Sequence, residues 1–169
     1  MPVIREPLSP RFLDKAKDTS MSDCCSPSTL TKTKQNCPEC GTSCKSVGIL
    51  TLYHQVRFPE NQSIITDSYY FCPAKTCSVG YFSSTSNTIP KQHLRSYQSI
   101  QNDALCYCFD IDAEQYLSAL KDHREEPIKA FVVQRTQAGE CACEIRNPSG
   151  QCCLANFKRL ENDHNTDGK

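Results

Sequence analysis

Two cysteine pairs, Cys37 and Cys40 in CPEC and Cys72 and Cys77 in CPAKTC, frame residues 41–71. A Cys-x-x-Cys turn lets two sulfurs face the same way while backbone amides face the thiolates, and a tetrahedral Zn²⁺ takes four such soft ligands. Four thiols point to a closed structural site, because a catalytic zinc keeps a position open for water. His54 and His93 have no ligand spacing to either pair. Cys44, just past CPEC, is read as a spare thiol or as a substitute for Cys40. A second group follows: Cys106 and Cys108 in CYCF, then Cys141, Cys143, Cys152 and Cys153 in CACEIRNPSGQCC. Cys-x-Cys pairs beside helix starts lie within reach of several N–H donors, which stabilise bridging sulfide as well as thiolate charge. A [2Fe–2S] centre fits that environment, with zinc as the alternative. Cys24 and Cys25, vicinal in MSDCCSP, suit a soft ion such as Cu⁺ or stand empty.

These thiols need elements to hold them. Residues 1–36 are polar and without periodicity, so they are expected to form a disordered arm, with Met21 a second candidate for the translation start. From Cys37 the pieces VGILTLY, SYYFC and VGYF have strand composition. Such a small β module has too little core to fold well without a metal staple. Beyond residue 100 the texture is helical. Asp112 with Gln115 three residues on is a capping box, Pro127 opens a second helix that Gly139 stops, and NPSG turns the chain into a short third helix at CCLANFKRL. The expected fold is α+β: a zinc-ribbon-like β lobe at 37–100, a helical [2Fe–2S]-binding lobe at 101–160 and a polar tail at 161–169.

Composition narrows the function. The chain has 169 residues, 13 cysteines, no tryptophan and no net charge. The cysteine share is near the ~8% of cysteine-built folds. The count is odd and the N-terminus lacks the apolar core of a signal peptide, so metal sites in a reducing cytoplasm are expected rather than disulfides. No apolar run approaches the ~18 residues of a membrane span, and the basic residues form no stripe. Membrane insertion and nucleic-acid binding are not expected.

CPECG, YYFCPAKTCSVGYF, CYCF and CACEIRNPSGQCC occur in the order found in the N-terminal domain of the CopZ-type copper chaperones, and residues 37–157 resemble that family. The helical part is similar to the cluster domain of bacterioferritin-associated ferredoxin. The resemblance implies zinc on Cys37, Cys40, Cys72 and Cys77, and a [2Fe–2S] cluster on Cys106 and Cys108. The family stretch of cysteine, three residues, Asn-Pro and a Cys-Cys pair then selects Cys143 and Cys152. Cys153 is the alternate for Cys152, and Cys141 matches the ferredoxin spacing instead. The implied role is a metallochaperone accessory or one-electron donor in copper handling. Reduction of Cu²⁺ to Cu⁺ by the cluster is its nearest approach to enzyme activity. The family continues into a heavy-metal domain with its own Cys-x-x-Cys, whereas this chain stops at Lys169. A separate copper carrier or a copper-transporting ATPase is therefore the expected partner. The alternatives are an interaction module with purely structural metals and a small ferredoxin-like carrier unrelated to copper.

Overall fold

Successive strand residues point to opposite faces, so a run such as YYFC can serve two cores at once. In the computed structural model, which describes residues 33–167, it does so. Five strands, β1 (Lys34–Asn36), β2 (Ser43–Val47), β3 (Tyr69–Phe71), β4 (Val79–Ser83) and β5 (Thr88–Pro90), pair antiparallel in chain order. On one face Tyr69 and Phe71 of the central strand pack with Tyr81, Ile89 and Leu94. On the other, Tyr70 packs with Phe82, Val79 and the cysteines 37, 44, 72 and 77. A register shift between Val79 and Tyr81 puts Val79 on the face of Phe82 despite their odd spacing. Gly80 sits at that shift, where an added Cβ would stand 2.9 Å from Leu94 Cδ1 and 3.1 Å from the Ile89 carbonyl.

The expected arm 1–36 lies outside the described residues except for its last few, and those are ordered: Lys34–Asn36 form β1 against Ser43–Lys45. Cys24 and Cys25 lie outside the described residues. VGILTLY, expected as strand, is a second correction. Only Val47 belongs to a strand, and Ile49–Gln55 form helix α1. The sequence has strand composition, but its buried positions have helical spacing: Leu52 and Val56 enter the sheet core while Thr51 and Gln55 face the other way and are buried too. Packing on two sides overrides local propensity.

The second half contains helix α2 (Tyr97–Gln101), the hairpin β6 (Ala104–Cys106) and β7 (Ile111–Asp112), and helices α3 (Ala113–Lys121), α4 (Glu125–Gln137), α5 (Cys143–Arg146) and α6 (Leu154–Asp167). The capping box is present: the Gln115 amide donates to Asp112 Oδ1 at 2.8 Å, and the Asp112 amide to Gln115 Oε1 at 3.0 Å. Pro127 lies in the first turn of α4, and Gly139, at φ +71°, follows its end. Leu105, Cys106, Tyr116, Val132, Cys153 and Phe157 form the core of this half. The third helix is longer than expected and runs through much of the stretch read as a polar tail. Glu161 anchors it there, accepting from Lys129 Nζ at 2.8 and 2.9 Å and from the Tyr116 hydroxyl at 2.6 Å.

The two halves meet where α1 lies against α5 and the NPSG turn. Gln55, 3% exposed, donates from Nε2 to the Ile145 and Arg146 carbonyls at 2.9 and 2.8 Å and accepts from Ser96 Oγ at 2.6 Å. The Tyr81 hydroxyl donates to the Pro148 carbonyl at 2.6 Å. Each such bond contributes about 1 kcal/mol net, and removing one partner leaves a buried group unpaired at about 1–3 kcal/mol. Gly150, at φ +63°, closes the turn directly over Thr51. The helix bearing Cys143 is thus held by the sheet half.

Candidate metal centres

The turn after β1 and the loop between β3 and β4 bring the four cysteines of the first group together. Cys37 and Cys77 have Sγ atoms 3.8 Å apart, Cys40 and Cys72 have theirs 3.5 Å apart, and all four lie within 4.8 Å of one another. A tetrahedron with Zn–S near 2.3 Å has edges of about 3.8 Å. The set fits one tetrahedral zinc. Three of the sulfur-bearing residues are buried and Cys40 is exposed. For three of the four an amide two residues further on hydrogen-bonds the sulfur, Thr42 to Cys40, Ala74 to Cys72 and Val79 to Cys77. The Thr42 hydroxyl and amide hold the Cys40 thiol down to about 6, whereas burial pushes Cys72 and Cys77 up.

Four thiolates around Zn²⁺ would carry a net double negative charge, and Lys91 would supply a counter-charge. It is 2% exposed and reaches under the CPAKTC loop, donating from Nζ to the Ala74 and Cys77 carbonyls. Sequence reasoning missed both Thr42 and Lys91. Thr42 had a signal in its place two residues after Cys40; Lys91, in IPKQH, had none. Cys44 lies on β2 with its thiol donating to the Thr42 carbonyl at 3.1 Å, and burial pushes it up. It lies outside the set of four. His54 is on α1, and His93 Nδ1 lies 3.8 Å from Glu60 Oε1.

The second group is arranged differently. Cys106 ends β6, Cys108 follows in the hairpin turn, Cys143 begins α5 and Cys153 precedes α6. Cys153 donates to Cys106 Sγ at 3.2 Å, Cys108 and Cys143 have sulfurs 3.7 Å apart, and the Ala142 amide donates to Cys108 Sγ at 3.3 Å. Hydrogen bonding from Cys153 holds Cys143 down to about 5 and Cys106 to about 6, and pushes Cys153 itself up. Burial lifts Cys108 to about 12.

Of the six thiols named from sequence here, five are linked by sulfur contacts: Cys106 to Cys153, Cys153 to Cys143, and Cys143 to both Cys108 and Cys141. Cys152, the first choice beside Cys143, is exposed and lines an adjoining groove. Neighbouring residues at a helix start point in different directions, so only one of the pair can face the core. Cys141 is half-buried beside Cys143 and Thr136, and burial pushes its thiol up. Whereas the first group gathers around one point, the second is strung out as a chain of contacts, Cys106–Cys153–Cys143–Cys108, its Cys106–Cys153 end buried and its Cys143–Cys108 end half-buried.

Sheet, loops and four gathered thiols define a zinc binding domain carried beside a helical part. Residues 34–95 match the CopZ family of zinc binding domains. The chain is also 30% identical over 129 residues to a protein of Archaeoglobus fulgidus named copper chaperone CopZ, an alignment covering 73% of this chain and 60% of that one. The X-ray structure of the N-terminal domain of A. fulgidus CopZ superposes with a TM-score of 0.60 at 29% identity, over 75% of this chain and 98% of that domain. The chain thus resembles the CopZ zinc domain in sequence and fold and spans about 60% of the relative's length. Among the described residues, no helix is long and apolar enough to cross a membrane.

Proposed function

We propose that this chain is a metallochaperone accessory: a zinc-structured lobe supporting a [2Fe–2S] lobe that passes single electrons to copper. The observation that carries the reading is the second thiol group, whose sulfurs are backed by N–H donors and run in a chain of contacts rather than around one point. One tetrahedral ion needs four ligands around one point, as Cys37, Cys40, Cys72 and Cys77 are placed, whereas a two-iron centre would spread its ligands over two metals. Cys106, Cys108, Cys143 and Cys153 would hold it, and when bound it supplies a one-electron couple. Leu105, Val132 and Phe157 exclude water from the buried Cys106–Cys153 pair. Phe109 and Phe131, edge to face at 5.2 Å, belong to the same half. Exchange with a partner would occur at the more exposed Cys108–Cys143 pair.

Copper is the substrate in this reading, supported by the name of the A. fulgidus relative. Cu²⁺ takes up one electron to become Cu⁺ while the reduced protein loses one, and the Cu⁺ passes to a carrier or a copper-transporting ATPase. Free thiols also reduce Cu²⁺, two of them giving a disulfide, two Cu⁺ and two protons. Cys24, Cys25 and Cys152 are therefore changed to Ser for the test, Cys44 being buried. Protein reduced with dithionite, desalted without oxygen and mixed with Cu²⁺ and a Cu⁺-specific chelator is expected to yield about one Cu⁺ per protein reoxidised. An unchanged visible spectrum in the triple variant, with Cu⁺ formed by the parent alone, would overturn the electron-donor role.

A further inference from the structure

A second cavity lies on the opposite side of α1 from the sheet core. It is an open recess of about 440 Å³ with Gln55 in its floor and His54, Arg95, Arg146, Ser99 and Tyr107 around it. The volume is within the range of small-molecule sites, about 300–1,000 Å³. The floor is already satisfied, since Gln55 spends its amide on Ile145, Arg146 and Ser96. The wall faces solvent, with His54, Arg95 and Arg146 exposed. Among the described residues, the side chains of His54, Arg95, Ser99, Tyr107 and Arg146 have no hydrogen-bond or ion-pair partner.

No carboxylate lines this cavity. Asp103, whose charge acts on Tyr107, is engaged by Lys75 at 2.7 Å in the neighbouring groove. Two guanidiniums thus share a concave wall with two hydroxyls and an imidazole. An oxyanion bound there can accept charge-assisted hydrogen bonds from the guanidiniums.

We infer that this cavity is a binding site for a small oxyanion ligand bearing phosphate or carboxylate groups, independent of the metal assignments. It adjoins the second thiol group through two residues. Tyr107 lies between Cys106 and Cys108, and Arg146 is three positions after Cys143 in α5. An anion held there places negative charge beside the thiol group and fixes the α5 end of the contact with α1. The site therefore couples a dissolved anion to the half of the molecule that carries Cys143.

Inorganic phosphate and citrate are titrated calorimetrically into the full-length, metal-loaded protein without oxygen, at an ionic strength fixed with sodium chloride. Saturable one-site binding is expected for at least one of them. Tighter phosphate binding assigns a phosphate ester and tighter citrate binding a polycarboxylate; either outcome supports the site. In the double variant Arg95→Gln, Arg146→Gln affinity should fall by about tenfold or more, because a hydrogen bond to a charged group contributes roughly 1.5–3 kcal/mol. Arg159→Gln, in the other groove, should bind as the parent does. The two arginines are exposed, so an unchanged melting temperature verifies folding of the variant. Binding to neither anion, or equal binding by the double variant, overturns the inference.

Discussion

Changing Cys72 to Ser should empty the first thiol group of zinc and unfold the sheet around it. Cys72 is fully buried at the end of the central strand, where Cys37, Cys44, Tyr70 and Phe82 surround it. A serine there removes the sulfur that stands 3.5 Å from Cys40 and leaves a hydroxyl in an apolar setting. Structural zinc contributes on the order of 10 kcal/mol to folding, comparable with the whole stability of a domain, ~5–15 kcal/mol. Zinc content should fall from about one per chain to near zero, and the amides of the strand residues 69–71 and 79–83 should lose hydrogen-exchange protection. The loss should also weaken the helical half, because α5 rests on α1 through Gln55 and on Tyr81 through Pro148. Retention of full zinc in a folded Cys72→Ser protein would contradict this assignment.

The second large effect separates two neighbouring thiols. Cys153→Ser should abolish metal binding by the second group, since its sulfur is buried 3.2 Å from Cys106 and in contact with Cys143. Cys152→Ser should leave iron, sulfide and the visible spectrum unchanged, with stability altered by no more than about 0.5 kcal/mol, as for other exposed positions away from special features. Metal analysis and absorption of the two variants, prepared without oxygen, decide between them. Loss of iron in Cys152→Ser with retention in Cys153→Ser would reverse the assignment.

These two residues also show where sequence reading reaches its limit. The gathering of Cys37, Cys40, Cys72 and Cys77 was legible, because a Cys-x-x-Cys turn is local and its geometry is fixed within a few residues. Which of Cys152 and Cys153 turns inward depends on where α6 begins, and helix boundaries are set by packing of Phe157 and Glu161 against α3 and α4. The capping box at Asp112 was readable for the same local reason. VGILTLY misled because its β-branched residues speak for strand, while its burial on two sides is a tertiary fact. Lys91 was invisible: nothing in IPKQH says that the chain will fold its ammonium beneath the CPAKTC carbonyls. The sheet order was accessible only in outline, since short strands in a meander leave the register to the bulge at Gly80.

Two metal centres of different kinds in one chain would leave a distinct elemental signature. The most direct measurement is elemental and acid-labile sulfide analysis of the full-length protein purified without oxygen, with its visible spectrum recorded before and after reduction. The account predicts one zinc, two irons and two sulfides per chain and a brown chromophore that bleaches on reduction. A colourless protein with two zincs and no sulfide would contradict it.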